Sequence, residues 1–293
     1  MVTNVLGMDV GGTAVKGARV TLDGSVIDSA AVETPRTARA LTDAVIELVR
    51  SLREDTTAAV GLASPGVVRD DVVHYAANLP WRDEPVRARV GAAVGLPVVL
   101  SRDILAAALA EARSAGHADM LFVGIGTGIA GAHVRAGVAD RGATGQAGEI
   151  GHTPVRPDGE PCACGQRGCL EAYASAAAIA RRYAARTGRT AAADRIAAAV
   201  GSDPDATAVW GEAVEALALA LATAVLVADP GVIVLGGGLA AAGETLLAPL
   251  HAALAARLGF RTPPSVSAAL LGTAAGMLGA AQLAASLLPS ISD

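Results

Sequence analysis

The stretch Val5-Leu6-Gly7-Met8-Asp9-Val10-Gly11-Gly12-Thr13 indicates the architecture, because an apolar strand runs directly into a glycine turn. The same arrangement restarts at Met120–Ile125, which ends in Gly126-Thr127-Gly128. A third apolar run, Val232–Leu235, ends in Gly236-Gly237-Gly238. Segments with helical spacing of apolar residues follow the strands in both parts of the chain. The sequence therefore predicts two similar α/β halves with a cleft between them.

The three glycine turns are candidate phosphate-binding loops. Glycine lets backbone amides approach an anion, and Thr13 adds a hydroxyl donor. Asp9, at the end of its strand, could hold Mg²⁺ directly or through water. Neither a P-loop nor a dinucleotide fingerprint is present. One such turn could be a plain hairpin, but three together favour a bound nucleotide. Lys16 could reach a phosphate or keep its ammonium in solvent.

We place the boundary between the halves near 113–118, which gives one lobe over 1–115 and a second over 116–272. The predicted strands are Val5–Val10, Val15–Leu22, Ser25–Val32, Ala58–Ala63, Val98–Leu100, Met120–Ile125, Ile129–Arg135 and Val232–Leu235. The predicted helices are 38–53, 86–94, 104–113, 175–187, 191–200, 206–228, 246–257 and 272–287. Asp23-Gly24 predicts a hairpin turn between the second and third strands.

Composition excludes several classes of protein. The chain of 293 residues is 52% hydrophobic but only 2% aromatic, so its core is expected to be packed with Ala, Val and Leu. A net charge of −5 argues against non-specific nucleic-acid binding. The apolar run 215–228 is too short to cross a membrane and predicts a buried helix. Met1–Asn4 does not resemble a signal segment, so we expect a cytoplasmic protein without a membrane partner.

The three cysteines, Cys162, Cys164 and Cys169, lie within eight residues, and His152 lies ten residues upstream of the first. One imidazole and three thiolates make a Cys₃His set, which is typical of a structural Zn²⁺ site. Buried free thiols are the alternative interpretation. A disulfide fits worse, because three is an odd number and Cys162 and Cys164 are too close for easy bridging.

The chain resembles the ROK family of bacterial sugar kinases and sugar-responsive repressors. The resemblance rests first on three runs: Leu121–Gly131, Gly148–His152 and Cys162–Glu171. Four further motifs match in order: Asp9-Val10-Gly11-Gly12-Thr13, Ser64-Pro65-Gly66, Asn78-Leu79-Pro80-Trp81 and Gly236-Gly237-Gly238. It implies the two-lobed actin-like, ribonuclease-H-like ATPase fold with an interlobe cleft and a structural zinc loop at 148–171. It also implies a homodimer or homotetramer, and a final helix, about 273–293, that packs back on the first lobe.

The resemblance also implies roles for individual residues. Asp103 would be the catalytic base, and ATP with Mg²⁺ would supply the phosphoryl group. The implied sugar ligands are Gly66, Asn78, Glu149, His152 and Glu171, with His152 binding zinc through its other ring nitrogen. The implied ATP-binding residues are Asp9, Gly11, Gly12, Thr13, Gly126, Thr127, Gly128, Gly236, Gly237 and Gly238. Read without the resemblance, Asp103 could instead be a helix N-cap. Glu171 could be a solvated carboxylate at a helix start.

The dipeptide Arg102-Asp103 departs from the family pattern, since glucokinase-like members usually carry Asn-Asp. Leu105 likewise stands where many members carry Asn. Arginine only donates hydrogen bonds, so it cannot replace an amide that donates and accepts. Arg102 could pair with a surface acid, reshape the sugar pocket or form an ion pair with Asp103. We hypothesise altered sugar specificity with retained kinase activity, because the phosphate loops are intact.

The predicted function is ATP-dependent phosphorylation of the 6-hydroxyl of a hexose, with glucose first, in carbohydrate metabolism. An N-acetylhexosamine kinase acting on GlcNAc or ManNAc is the first alternative. A non-catalytic sugar-sensing regulator is the second. Regulators in this family carry an N-terminal helix-turn-helix, and a first strand at Val5 would leave no room for one, so we expect an enzyme.

Overall fold

The computed structural model describes residues 2–289, which form two compact α/β units. The first unit contains residues 2–116, 137–147 and 273–289. The second contains residues 117–136 and 148–272. Each unit has its own sheet and its own apolar core.

The eight predicted strands and the eight predicted helices occur in the predicted order, and residues 2–289 contain five further short strands and one further short α-helix. The strands are β1 (Asn4–Val10), β2 (Ala14–Thr21), β3 (Val26–Glu33), β4 (Thr57–Ser64), β5 (Val67–Arg69), β6 (Val72–Tyr75), β7 (Arg82–Glu84), β8 (Val98–Arg102), β9 (Met120–Ile125), β10 (Ile129–Arg135), β11 (Val138–Ala139), β12 (Val232–Gly236) and β13 (Ser265–Ala268). The helices are α1 (Ala38–Leu52), α2 (Val86–Val94), α3 (Asp103–Ala115), α4 (Glu171–Ala174), α5 (Ala176–Thr187), α6 (Ala193–Ala198), α7 (Pro204–Ala228), α8 (Glu244–Arg257) and α9 (Ala275–Ala285).

The sheet of the first unit has the strand order β3-β2-β1-β4-β8. Strands β1, β2 and β3 are antiparallel neighbours, whereas β1, β4 and β8 run parallel. Parallel strands end at the same edge of a sheet. The carboxyl ends of β1, β4 and β8 therefore bring Asp9, Ser64 and Arg102 to one edge.

The backbone of helix α9 packs directly against the backbone of this sheet, because the strands present glycines to the helix. A Cβ atom on Gly61 of β4 would lie 1.8 Å from the carbonyl oxygen of Ala280, and one on Gly7 of β1 would lie 2.1 Å from that of Met277. On the other side of the helix, a Cβ on Gly279 would lie 1.8 Å from the carbonyl oxygen of Ala106 in α3. Residues 290–293 of the predicted final helix lie outside the described residues.

In the second unit, β10, β9, β12 and β13 are neighbours in that order. Strands β9, β12 and β13 run parallel, so the turns after β9 and β12 lie at one edge of the sheet. Helix α7 crosses the core of this unit and contributes twelve buried residues. By length and composition α7 could cross a membrane, but half of its most apolar window is buried inside the protein.

A small sheet of β5, β6 and β7 was not predicted from the sequence. Its strands have three or four residues, too few to show a period. The loop between β6 and β7 ends at Trp81, which is fully buried. The indole N–H of Trp81 donates to the Thr42 hydroxyl at 3.0 Å, which anchors the loop to α1.

We predict that Gly61→Ala destabilises the protein by about 1–3 kcal/mol, because the added methyl group has no space against α9. Urea unfolding measures the effect. Gly91→Ala in α2 is the matched control, since its Cβ would make ordinary contacts at 3.6 Å or more. Alanine favours a helix interior over glycine, so the control should be neutral or stabilising. Equal stability of the two variants would contradict the packing described for α9.

Candidate active site

Two carboxylates lie at the carboxyl edge of the first sheet. Asp9 is the penultimate residue of β1, and Asp103 directly follows β8 as the first residue of α3. Asp103 Oδ1 accepts a hydrogen bond from the Ile104 amide at 2.7 Å. The N-cap residue of α3 is Arg102, so the interpretation of Asp103 as an N-cap is wrong.

The environment of Asp9 favours its protonated form. Burial is the main cause, and the nearby Asp103 charge acts in the same direction, so the pKa of Asp9 is raised to about 6. Lys16 stands opposite Asp9 in the β1–β2 ladder, and its positive charge lowers the Asp9 pKa in part. The Lys16 side chain is half-buried beside this carboxylate.

The first glycine turn contacts the predicted sugar-binding residue Asn78. A Cβ atom on Gly12 would lie 3.0 Å from the side-chain nitrogen of Asn78. The turn is closed by the Gly11 amide, which donates to the Ala14 carbonyl at 3.0 Å. Thr13 is exposed. Asn78 and the first candidate phosphate loop therefore belong to one cluster of residues in the first unit.

The loop that carries Asn78 is organised by Arg82, a residue that the sequence analysis did not single out. Arg82 Nη1 donates to the carbonyl oxygens of Ala76, Leu79 and Trp81 at 3.0, 2.9 and 2.5 Å. The predicted residue Gly66 packs against the start of the same loop. Its φ of +90° and a virtual Cβ only 2.1 Å from the Tyr75 carbonyl oxygen explain why this position requires glycine.

Arg102 is 5% exposed, so its guanidinium is not on the surface. Its Nη1 donates to the carbonyl oxygens of Ala147 at 2.9 Å and Gly145 at 3.4 Å. Both acceptors belong to the segment 137–147, which is part of the first unit. Arg102 therefore fastens this segment to the end of β8, next to Asp103.

In the second unit, the four predicted metal ligands come together. The imidazole of His152 and the sulfurs of Cys162, Cys164 and Cys169 each offer one ligand atom, and all four atoms lie within 4.8 Å of one another. Cys162 Sγ is 3.7 Å from His152 Nδ1, and Cys164 Sγ is 3.7 Å from Cys169 Sγ. A tetrahedral zinc ion with bonds of about 2.3 Å places its sulfurs about 3.8 Å apart. The arrangement fits a structural zinc site.

The cysteine thiols of this cluster differ in the direction in which their pKa values are shifted. Burial, followed by the neighbouring sulfurs of Cys164 and Cys162, raises the pKa of Cys169 to about 12. A hydrogen bond from the Gln166 backbone is the main cause of a lowered pKa at Cys164. A bound dication would deprotonate the coordinating thiols and remove the repulsion among the thiolates.

The two ring nitrogens of His152 have different neighbours. Nδ1 faces Cys162, whereas Nε2 lies 4.0 Å from Glu149 Oε2. The side chains of His152 and Glu149 are 34% and 41% exposed. One nitrogen is thus available to a metal while the other lies beside a solvent-accessible carboxylate.

Glu171 starts α4, as its helix-start interpretation expected, but it also contacts the second glycine turn. Glu171 Oε2 accepts a hydrogen bond from the Ile129 amide at 2.8 Å. A Cβ on Gly128 would lie 2.6 Å from the same oxygen. The carboxylate therefore links the end of the zinc loop (residues 148–171) to the candidate phosphate loop.

The second and third glycine turns are adjacent. The Gly126 amide donates to the Gly128 carbonyl at 2.9 Å and closes the second turn, whose tip carries the exposed Thr127. Gly237, in the third turn, has a φ of +79°, and a Cβ there would lie 2.4 Å from the Ile125 carbonyl oxygen. The preceding residue, Gly236, belongs to β12.

A cavity of about 490 Å³ in the second unit begins beside the third turn. Its lining residues include Gly238, Leu239, Trp210, Ala193 and Ala197. The walls are largely apolar, which suits a flat aromatic ring such as a nucleobase. This cavity was not predicted from the sequence, because its walls come from helices and turns that are distant along the chain.

The ROK family model matches residues 5–286 of the chain. The chain is 33% identical over 306 aligned positions to a glucokinase of Streptomyces coelicolor, covering 95% of this chain and 96% of the relative. It is 34% identical over 295 positions to an N-acetylmannosamine kinase of Escherichia coli O157:H7, covering 95% and 97%.

The fold is similar to the crystal structure of a ROK family glucokinase from Streptomyces griseus in complex with glucose and AMPPNP. The TM-score is 0.81 at 33% identity, and the comparison covers 97% of this chain and 99% of the other. These likenesses confirm the predicted actin-like fold class. With its two α/β units, three glycine turns and Cys₃His cluster, the chain belongs to the ROK family.

Proposed function

We propose that this protein is an ATP-dependent hexose kinase that phosphorylates the 6-hydroxyl of its sugar, with glucose as the first candidate. The observation that carries the proposal is the position of Asp103 next to Asp9 at the carboxyl edge of the first sheet. The similarity to a glucokinase whose structure contains glucose and AMPPNP supports the same assignment.

Phosphoryl transfer requires positioning of the substrates, neutralisation of the phosphate charge and a base beside the attacking hydroxyl. Asp103 is assigned as the base that takes the hydroxyl proton. The backbone amides of the glycine turns and the Thr13 hydroxyl bind phosphate oxygens, with Lys16 as a further candidate. Mg²⁺, when bound, would neutralise phosphate charge, and Asp9 is the residue proposed to hold it. The apolar cavity beside Gly238 would take the adenine ring.

Sugar hydroxyls both donate and accept hydrogen bonds, so carboxylates, an amide and an imidazole suit them. We assign this role to Glu149, His152, Glu171 and Asn78, with Gly66 shaping the Asn78 loop. The four zinc ligands come from the protein and leave no open position, so zinc is assigned a structural role. Its task is to hold the loop that carries Glu149, His152 and Glu171.

An N-acetylmannosamine kinase is the second candidate function. The chain is as similar to a protein of that name, at 34% identity, as to the glucokinase, at 33%. Arg102 stands beside Asp103, and we assign to it an effect on which of the two sugars is preferred. The cytoplasmic location and the homodimeric or homotetrameric state stay predictions from the sequence.

We predict that Asp103→Asn lowers kcat by about 100- to 10,000-fold, because the amide cannot accept the proton of the sugar hydroxyl. A coupled ADP-release assay over glucose, mannose, GlcNAc and ManNAc measures the loss. Asp28→Asn, an exposed carboxylate on β3, is the matched control and should keep full activity. The proposed function would be excluded if wild type turned over none of the four sugars, or if Asp103→Asn and wild type had equal turnover.

We predict that Arg102→Asn changes the ratio of kcat/KM between glucose and ManNAc by about tenfold while phosphoryl transfer is retained. The substitution removes the two hydrogen bonds to the segment 137–147 and adds an amide beside Asp103. Arg113→Asn, at an exposed position of α3, the helix whose N-cap residue is Arg102, controls for the loss of a positive charge. An unchanged sugar preference in Arg102→Asn would refute the specificity role of Arg102.

We predict that the ionisation of Asp9 lowers the free energy of unfolding as the pH rises from about 4 to about 6. Its pKa is about 6 in the folded protein and 3.8 in a model peptide, so the folded state binds more protons between these values. Stability should therefore fall as the pH rises from about 4 to about 6, relative to Asp9→Asn, in a buffer without added Mg²⁺. Urea unfolding from pH 4 to 7.5 measures this difference. Asp43→Asn, an exposed position on α1, serves as the control, and equal pH slopes for Asp9→Asn and wild type would contradict the prediction.

A further inference from the structure

A cluster around Tyr173 contacts the zinc loop at residues 156–160. We call it the Tyr173 clamp, and it consists of Arg156, Glu160, Tyr173, Arg182 and Glu212. None of these residues belongs to the predicted zinc, sugar or nucleotide sites. Tyr173 is 2% exposed and stands two residues after Glu171 in α4.

The ring of Tyr173 contacts two guanidinium groups. The Cζ atoms of Arg156 and Arg182 lie 4.6 and 4.8 Å from the ring centroid. Arg156 comes from the zinc loop, whereas Arg182 comes from α5. Cation–π contacts strengthen when they are removed from water, and the buried ring provides such a setting. The aromatic ring therefore connects the zinc loop to the helical layer of the second unit.

The hydroxyl group of Tyr173 provides a second connection to the loop. Its oxygen accepts a hydrogen bond from the Glu160 amide at 2.7 Å. A Cβ on Gly159 would lie 2.1 Å from this oxygen, so only glycine leaves room for the hydroxyl. The backbone of the loop at 159–160 is therefore held against the tyrosine by both space and a hydrogen bond.

Ion pairs complete the clamp. The Glu160 carboxylate pairs with Arg182 and with Arg181, the latter at 2.5 Å. Glu212 of α7 pairs with Arg182 and lies 3.6 Å from Arg156. The Arg182 side chain is only 14% exposed, so removal of a partner would leave a poorly solvated charge.

The clamp is joined directly to the hairpin of residues 160–169, which carries the three cysteines. The Gly168 amide donates to the Glu160 carbonyl at 2.8 Å, and Gly168 precedes the ligand Cys169. The Cys162 amide donates to the Gln166 carbonyl at 2.9 Å within the same hairpin. The backbone around Cys162 and Cys169 is thus held by contacts that do not involve the ligand atoms.

We propose that the Tyr173 clamp preorganises the zinc loop, so that the retention of zinc depends on Arg156 and Tyr173 although neither residue is a ligand. A loop that is ordered before metal binding loses less conformational entropy when the metal binds. Weakening the clamp frees the hairpin to open and speeds metal release. Arg156 and Tyr173 are therefore positioning residues for the Cys₃His site.

The test measures Zn²⁺ directly and does not depend on the proposed kinase activity. Purified protein is analysed for zinc content, and metal release to an excess of a chromogenic chelator is followed over time. Wild type should hold about one zinc per chain, as expected for a single four-ligand site. Tyr173→Phe removes only the hydroxyl, and Arg156→Ala removes a partly exposed side chain from one ring face. Both should release zinc at least tenfold faster than wild type.

Arg167→Ala is the matched control, because Arg167 is an exposed arginine of the same loop that lies outside the clamp. It should release zinc at the wild-type rate. Arg156→Lys keeps a cation over the ring and should restore part of the retention lost in Arg156→Ala. Far-ultraviolet circular dichroism verifies that each variant is folded. Wild-type release rates in both clamp variants, equal acceleration in Arg167→Ala, or a wild-type protein without zinc would overturn the proposal.

Discussion

The backbone contact between helix α9 and the first sheet is the constraint on which the first unit depends. Gly7 and Gly61 let the helix approach β1 and β4 at a distance that no other residue permits. The same helix brings Gly276 against Asp9, where a Cβ would lie 3.0 Å from the carboxylate carbon. Close packing therefore restricts the hydration of Asp9, and this burial is the main cause of its raised pKa. The contact that stabilises the fold also sets the electrostatics at the edge of the sheet.

The second unit holds the side chains assigned to the sugar by a different means, because Glu149 and His152 come from a loop. An irregular loop has few backbone hydrogen bonds of its own and must be fastened from outside. Here the fastening consists of the Cys₃His cluster and the Tyr173 clamp. His152 belongs to the metal cluster and Tyr173 follows Glu171 by two residues, so each anchor lies close along the chain to residues assigned to the sugar.

Long periodic segments were predicted well, and short or distant features were not. Helix α2 and strands β9 and β10 begin and end at the predicted residues, because their apolar spacing and their flanking glycines are local signals. The sheet of β5, β6 and β7 was missed, since strands of three or four residues have no readable period. Asp103 was weighed as an N-cap, but α3 begins one residue earlier than its apolar pattern indicated. The candidate roles of Asp103, Arg102 and Lys16 stay predictions.

The sequence by itself determined the family, the order of the longer strands and helices, and the set of four candidate metal ligands, because each is encoded in residues that are close along the chain. Only the tertiary structure decided what Arg102 and Arg82 contact. Arg102 binds carbonyl groups more than forty positions away, and Arg82 collects three carbonyls of a folded loop. A guanidinium has several donors and a long flexible stem, so its partners depend on the fold and not on its neighbours in sequence.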